Sequence, residues 1–232
     1  MKKKEEEMGM NYSIKVTRLE KQKEGNVKGF AQLILDGGFK VTNIAILENK
    51  QTNQLYVSMP RYKSNELDEK GQNVYKNICN PITAEFREEL FGNIMKAYES
   101  IPLEGKENSA EMDIIGEKED CAITATVSTY ERDNNNAKGF ARVYFGDVFI
   151  VNNLSIMQGK AGMFLSMPAY KTKQQDEDGK AIYQSICYPV TKEFREKLYS
   201  QIIEEYEKKK EQKQSKMKKR QEHVTDRSVG KK

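Results

Sequence analysis

One irregular heptad, written twice, constrains this chain more than any other feature: Val57 to Lys63 reads VSMPRYK, and Leu165 to Lys171 reads LSMPAYK. Extended outward, Asn26 to Glu99 aligns with Asn136 to Glu207 after one two-residue gap, with 31 of 72 positions identical. Unlike segments in fixed order hold the register: KGFA, SMP, Gly-x-x-x-Tyr-x-x-Ile-Cys-x-Pro, then Thr-x-Glu-Phe-Arg-Glu-x-Leu. A period of more than about 100 residues marks a duplicated domain, since solenoid repeats are far shorter. The chain has 232 residues, room for two small domains. The expected division is one copy over 11–100, a linker over 101–120, a second copy over 121–207 and a basic tail over 208–232.

Within each copy the first half alternates as strands do. The segments FAQLILDGGFKVTNIAIL and FARVYFGDVFIVNNLSIM each read as a hairpin, turning at Asp36-Gly37 and Gly146-Asp147. Ser13 to Leu19 and Ile123 to Tyr130 supply a strand before each hairpin. Leu55 to Met59 and Met163 to Met167 supply one after it, which Pro60 and Pro168 stop by removing a ladder donor. Polar, acidic loops then lead into short strands around Tyr75 to Cys79 and Tyr183 to Cys187.

Helices follow. Thr83 and Thr191 suit N-caps, with Glu85 and Glu193 in the first turn, where carboxylates complement the helix dipole. Phe86, Leu90, Ile94 and Tyr98, like Phe194, Leu198, Ile202 and Tyr206, form apolar stripes. The expected fold class is α+β: two tandem domains, each an antiparallel sheet with a C-terminal helix.

Charge is divided unevenly. Residues 208–232 hold eleven Lys or Arg against three Asp or Glu, a net +8, and since the whole chain carries +4 the rest carries −4. Such a tail reads either as a solvated helix end or as a polyanion-binding arm. No apolar run approaches membrane-spanning length, and MKKKEEEMGMNYS has no apolar core after its lysines, so a cytoplasmic address without membrane attachment is expected.

Enzymatic chemistry finds little support. Cys79 and Cys187 recur with the fold, as small buried residues do, and the single histidine, His223, lies in the tail, away from any nucleophile it could serve. There is no phosphate-cradling glycine loop and no zinc-protease helix. The expectation is a non-enzymatic protein with no cofactor, no metal and no small-molecule substrate.

The ordered combination of strand, Met-Pro, glycine loop, Ile-x-x-Pro and Phe-Arg-Glu-x-Leu helix resembles the SpoVG family, stage V sporulation protein G or septation regulators. The resemblance covers nearly all of Tyr12 to Glu99 and Cys121 to Glu207. It implies small bacterial cytosolic proteins that dimerise and bind DNA and RNA as regulators, usually with one such domain per chain. It places nucleic-acid contacts on basic residues after Met-Pro and on the C-terminal helix. Here those positions are Arg61, Tyr62 and Lys63, then Ala169, Tyr170 and Lys171, with Arg87, Arg195 and Lys197 on the helices. Glu89 stands where the family has lysine. Arginine can meet phosphate or a guanine edge, and tyrosine can stack on an unpaired base. Lys208, Lys209, Lys210, Lys218, Lys219 and Arg220 of the tail complete the candidate set.

The expected function is therefore a DNA- or RNA-binding regulator of septation, cell division or sporulation, its two copies pairing within one chain as a pseudo-dimer. The alternative is a protein-interaction adaptor in the same processes, with a tail that only solubilises.

Overall fold

The computed structural model describes residues 9–19, 25–103, 107–116, 121–130 and 135–229, with side chains only as far as Lys218. The first copy runs β1 (Tyr12–Arg18), β2 (Val27–Leu35), β3 (Phe39–Glu48), β4 (Leu55–Ser58), β5 (Arg61–Leu67), β6 (Asn73–Asn77), β7 (Cys79–Pro81) and α1 (Ala84–Ser100). Next comes β8 (Ser109–Ile114). The second copy runs β9 (Ile123–Thr129), β10 (Ala137–Phe145), β11 (Phe149–Gly159), β12 (Gly162–Ser166), β13 (Ala169–Gln175), β14 (Ala181–Ser185), β15 (Cys187–Pro189) and α2 (Lys192–Val229). The fold is α+β, with antiparallel sheets and one helix after each set of strands.

Local chemistry accounts for most of these boundaries. Asp36 and Gly37 both have positive φ, as do Gly146 and Asp147, and Gly38 and Val148 donate their N–H to the carbonyls of Leu35 and Phe145. These are type I′ turns, whose twist matches that of the strands they join. Thr83 Oγ1 accepts from the Phe86 N–H at 3.2 Å, and Thr191 Oγ1 from that of Phe194 at 3.1 Å, capping both helices. The expected stripes are buried, from Phe86 to Tyr98 and from Phe194 to Tyr206.

The repeated Met-Pro has a second role besides ending β4 and β12. The Pro60 carbonyl accepts the Ile78 N–H and the Pro168 carbonyl that of Ile186, both at 2.8 Å, which closes the base of a hairpin in each copy. The first strands of those hairpins, β5 and β13, lie largely in what reads in sequence as a polar, acidic loop. Most residues of these two strands are polar and exposed, so little hydrophobic alternation marks them; Asp68 and Asp176 close the turns by accepting nearby backbone N–H groups.

The short strands expected at Tyr75 to Cys79 and Tyr183 to Cys187 are each broken in two. The first pieces, β6 and β14, stay in the hairpins, and the second pieces cross between the copies. Cys187 pairs with Val41, Tyr188 with Lys40 and Pro189 with Phe39, so β15 is an antiparallel neighbour of β3. Reciprocally, Cys79 pairs with Val151, Asn80 with Ile150 and Pro81 with Phe149, joining β7 to β11. The Thr42 and Asn152 N–H groups extend the two ladders to the carbonyls of Ile186 and Ile78, both at 2.7 Å.

Buried side chains form one continuous core drawn from both copies. Phe39 lies 4.9 Å from Phe145, and Phe194 lies 6.2 Å from each of them, measured between ring centroids. Burying an aromatic ring of this kind stabilises by roughly 1.5–3 kcal/mol. The exchange therefore has side-chain packing beneath its six residue pairs.

Cys79 and Cys187 are fully buried free thiols. Burial pushes Cys187 up to about 12. The same cause, with a smaller contribution from neighbouring Cys187, raises Cys79 well above its ordinary value.

The segment read as a linker contains β8, which pairs antiparallel with β1 through Ile14 to Met112 and Val16 to Ala110. Ala110, Met112 and Ile114 pack against the core while Glu111 meets Lys15 at 2.6 Å on the other face. The alternation is genuine but brief, and acidic neighbours mask it in sequence. The order of the first sheet is β15-β3-β2-β1-β8, with β4 also on β3; that of the second is β12-β11-β10-β9, with β7 also on β11.

Candidate nucleic-acid interface

The post-proline residues sit on the two polar hairpins. Arg61 faces Asn77, Tyr62 faces Lys76 and Lys63 faces Tyr75 across the first. Alternation puts Arg61, Lys63 and Tyr75 on one side, and the Arg61 guanidinium lies 5.3 Å from the Tyr75 ring centroid. Lys76, on the other side, meets Glu66 at 2.5 Å, and that hydrogen bond raises its pKa. In the second hairpin Lys171 faces Tyr183, while Tyr170 donates its hydroxyl to Gln184 Oε1 at 2.7 Å.

Tyr62 and Tyr170 are each 37% exposed, whereas Tyr75 is 55% and Tyr183 65% exposed. Tyr75 and Tyr183 are thus the better stacking surfaces, and sequence reasoning did not single them out as site residues. Their repetition in Gly-x-x-x-Tyr was the signal present in the chain; their place beside Arg61, Lys63 and Lys171 follows only from the hairpin register.

The helix residues lie on the first two turns. Arg87 is exposed, and its Nη2 donates to the Pro81 carbonyl at 3.3 Å, which ties it to the exchanged strand. Arg195 and Lys197 are exposed on α2. Glu89, which aligns with Lys197 of the second copy, has a partner of its own: Tyr12 donates its hydroxyl to Glu89 Oε1 at 2.8 Å and accepts from Asn93 Nδ2 at 2.9 Å. Burial, first, and the Glu89 carboxylate push the Tyr12 pKa up. The aligned residue of the second copy is Ala122, which leaves Lys197 no such phenol to receive.

Helix α2 continues past its last stripe residue, Tyr206, to Val229. Lys208, Lys209 and Lys218 are exposed, and half-buried Lys210 lies 3.5 Å from Glu207. Lys219 and Arg220 are on the helix by backbone, their side chains outside the described residues. The 23 residues after Tyr206 add about 35 Å of helix at 1.5 Å per residue. Among the described residues, no hydrogen bond, ion pair or ring contact links the hairpin candidates to Arg87, Arg195 or Lys197.

Among the described residues, no three His, Cys, Asp or Glu side chains are grouped to hold a metal ion. No described helix is long and apolar enough to cross a membrane.

The SpoVG family model matches residues 10–100 and again 122–208. A relative from Treponema denticola that carries the name septation protein SpoVG is 32% identical over 74 residues, 32% of this chain and 73% of the relative. One of the same name from Clostridium beijerinckii is 37% identical over 71 residues, 31% of this chain and 71% of its own length. Another from Archaeoglobus fulgidus is 30% identical over 76 residues, 33% and 82% of the two lengths. No solved structure matches the chain.

Proposed function

The chain belongs to the SpoVG family, carried twice in tandem, and from that premise we propose that it is a non-enzymatic, nucleic-acid-binding regulator linked to septation, acting in the cytoplasm on DNA or RNA. The observation that carries the proposal is the continuity of α2. One helix bears Arg195 and Lys197 near its start and most of the tail's +8 further along, on a body whose remaining charge is −4. Cations gathered on one element make a phosphate-tracking surface, and releasing counterions from the nucleic acid supplies most of the free energy.

The two copies act as an intramolecular pseudo-dimer. The reciprocal pairing of β7 with β11 and β15 with β3, over one continuous core, supports this. The exchange also sets the root of each polar hairpin against the other copy: Asn152 Nδ2 donates to the Asn77 carbonyl at 3.3 Å, and Thr42 N–H to that of Ile186. Because the copies differ at Arg61 against Ala169 and Glu89 against Lys197, such a unit can read an asymmetric target.

A salt titration of binding to duplex and single-stranded oligonucleotides tests the proposal. The expected result is a complex whose log affinity falls linearly with log salt. If no salt-sensitive complex forms at low ionic strength, the proposal is wrong and an adaptor whose net-negative copies bind protein partners takes its place.

A further inference from the structure

The second sheet contains no Asp or Glu in any of its five strands, β9 to β12 and β7, although the chain outside its tail is net negative. Its only charged residues are Lys138 and Arg142, both on β10. Ala141, Val143 and Phe145 turn into the core, so Lys138, Phe140 and Arg142 lie on the outer face by alternation. Phe140 is 40% exposed there, and Phe164 on β12 is 46% exposed. Phe140 pairs with Ser155 and Phe164 with Met157 on the intervening β11, so the two positions lie two strand spacings across and two residues along, about 12 Å apart. Tyr130 packs edge-on to Phe140 at 5.8 Å, bracing that ring upright. Beside it a shallow groove of about 410 Å³ is lined by Thr126, Ser128, Phe140, Arg142 and Asn153.

We infer that this outer face binds an unpaired stretch of nucleic acid, with Phe140 and Phe164 stacking bases and Arg142 holding a phosphate or base edge. The inference rests on the nucleic-acid reading proposed above and locates a surface outside the hairpins and helices. Two exposed aromatic rings, one of them flanked by Lys138 and Arg142 and by the hydroxyl and amide side chains of the groove, have the chemistry of a single-strand platform. A duplex keeps its base faces stacked inside and offers nothing to these rings.

The first sheet provides the comparison. Phe30 and Tyr56 stand at the aligned positions and are exposed, yet Gln32 replaces Arg142. Lys15 is paired with Glu111 at 2.6 Å and Lys28 with Glu48 at 2.7 Å. Strand β8 adds Glu111 and Asp113 to that sheet, whereas the strands of the second sheet supply no carboxylate to offset Lys138 and Arg142. The platform therefore belongs to the second copy.

The test uses the full chain, a labelled oligothymidylate and the corresponding duplex. Phe140→Leu combined with Phe164→Leu keeps apolar bulk and removes the rings; affinity for the single strand should fall roughly tenfold or more while duplex affinity holds. Arg142→Gln should flatten the single-strand salt slope by about 0.7. Phe30→Leu with Tyr56→Leu should change single-strand affinity little. Independently of any variant, photocrosslinking of the wild-type chain to an iodouracil-substituted strand should label β10 or β12. An unchanged single-strand affinity in the Phe140 and Phe164 variant, an equal loss on the duplex, or crosslinks confined to α2 would overturn the platform and leave the broader proposal standing. A wild-type chain that binds neither oligonucleotide overturns both.

Discussion

Phe194 of the second helix lies directly on Gly38 of the first hairpin: a Cβ at Gly38 would come within 2.0 Å of the Phe194 ring. The contact joins the two copies at the end of the exchanged strand, where the Val190 N–H donates to the Gly38 carbonyl at 2.8 Å. Gly38→Ala must displace a ring that also stacks on Phe145. Overpacking of this kind costs about 1–3 kcal/mol. The melting temperature should drop by roughly 3–10 °C for a chain of this length, and a melting curve equal to that of wild type would show that the ring moves aside freely.

Pairing within the chain predicts solution mass. Light scattering at micromolar concentration should give 26.8 kDa, the mass of one chain. A stable particle of twice that mass would contradict a pseudo-dimer that is complete within one chain.

Removing residues 208–232 takes away +8 of charge and leaves the buried stripe, which ends at Tyr206, intact. Thermal stability should hold, while binding to duplex DNA weakens and its salt slope flattens by about 0.9 for each phosphate that the tail had neutralised. An unchanged slope would rule out the tail as a binding arm.

Arg87 and Arg195 occupy matching positions but not matching surroundings. Glu89, held by Tyr12, lies two residues beyond Arg87, whereas Lys197 lies two beyond Arg195. Arg195→Ala should therefore weaken binding more than Arg87→Ala; it should change stability by about 0.5 kcal/mol or less, as exposed substitutions do, whereas Arg87→Ala also loses the bond to Pro81 and should cost about 1 kcal/mol. Oligonucleotide affinities of the two variants decide the ranking, and a larger loss from Arg87→Ala reverses it.

The buried thiols make stability depend on pH. The Cys187 pKa rises from 9.0 unfolded to about 12 folded, so its contribution is complete below pH 9 and declines above it, as the unfolded chain releases a proton that the folded chain keeps. The loss should be about 1.4 kcal/mol per pH unit above 9 until the folded thiol itself titrates. Cys79 adds a loss of the same sign, and Tyr12 another above pH 10. Denaturant midpoints between pH 8 and pH 10 should fall in wild type and fall less steeply in Cys187→Ala. Parallel pH profiles for the two proteins would exclude the thiol as the source.

The duplication, the turns at Asp36-Gly37 and Gly146-Asp147, the caps at Thr83 and Thr191 and both helix stripes were legible in sequence, because each is written within a few residues of where it acts. The cationic candidates were legible as well, though only as residue types. Tertiary structure decided the rest. A three-residue strand such as Cys79–Pro81 offers backbone groups that any open edge can satisfy, and its place on β11 goes with packing between residues distant in the chain, such as Phe86 against Phe149. The polar hairpins bury too little to leave a period, so the meeting of Arg61 with Tyr75 awaited the register. Strand β8 took its place on β1 because Ala110, Met112 and Ile114 found a core to cover, a fact of the assembled sheet and not of six residues of which half are polar.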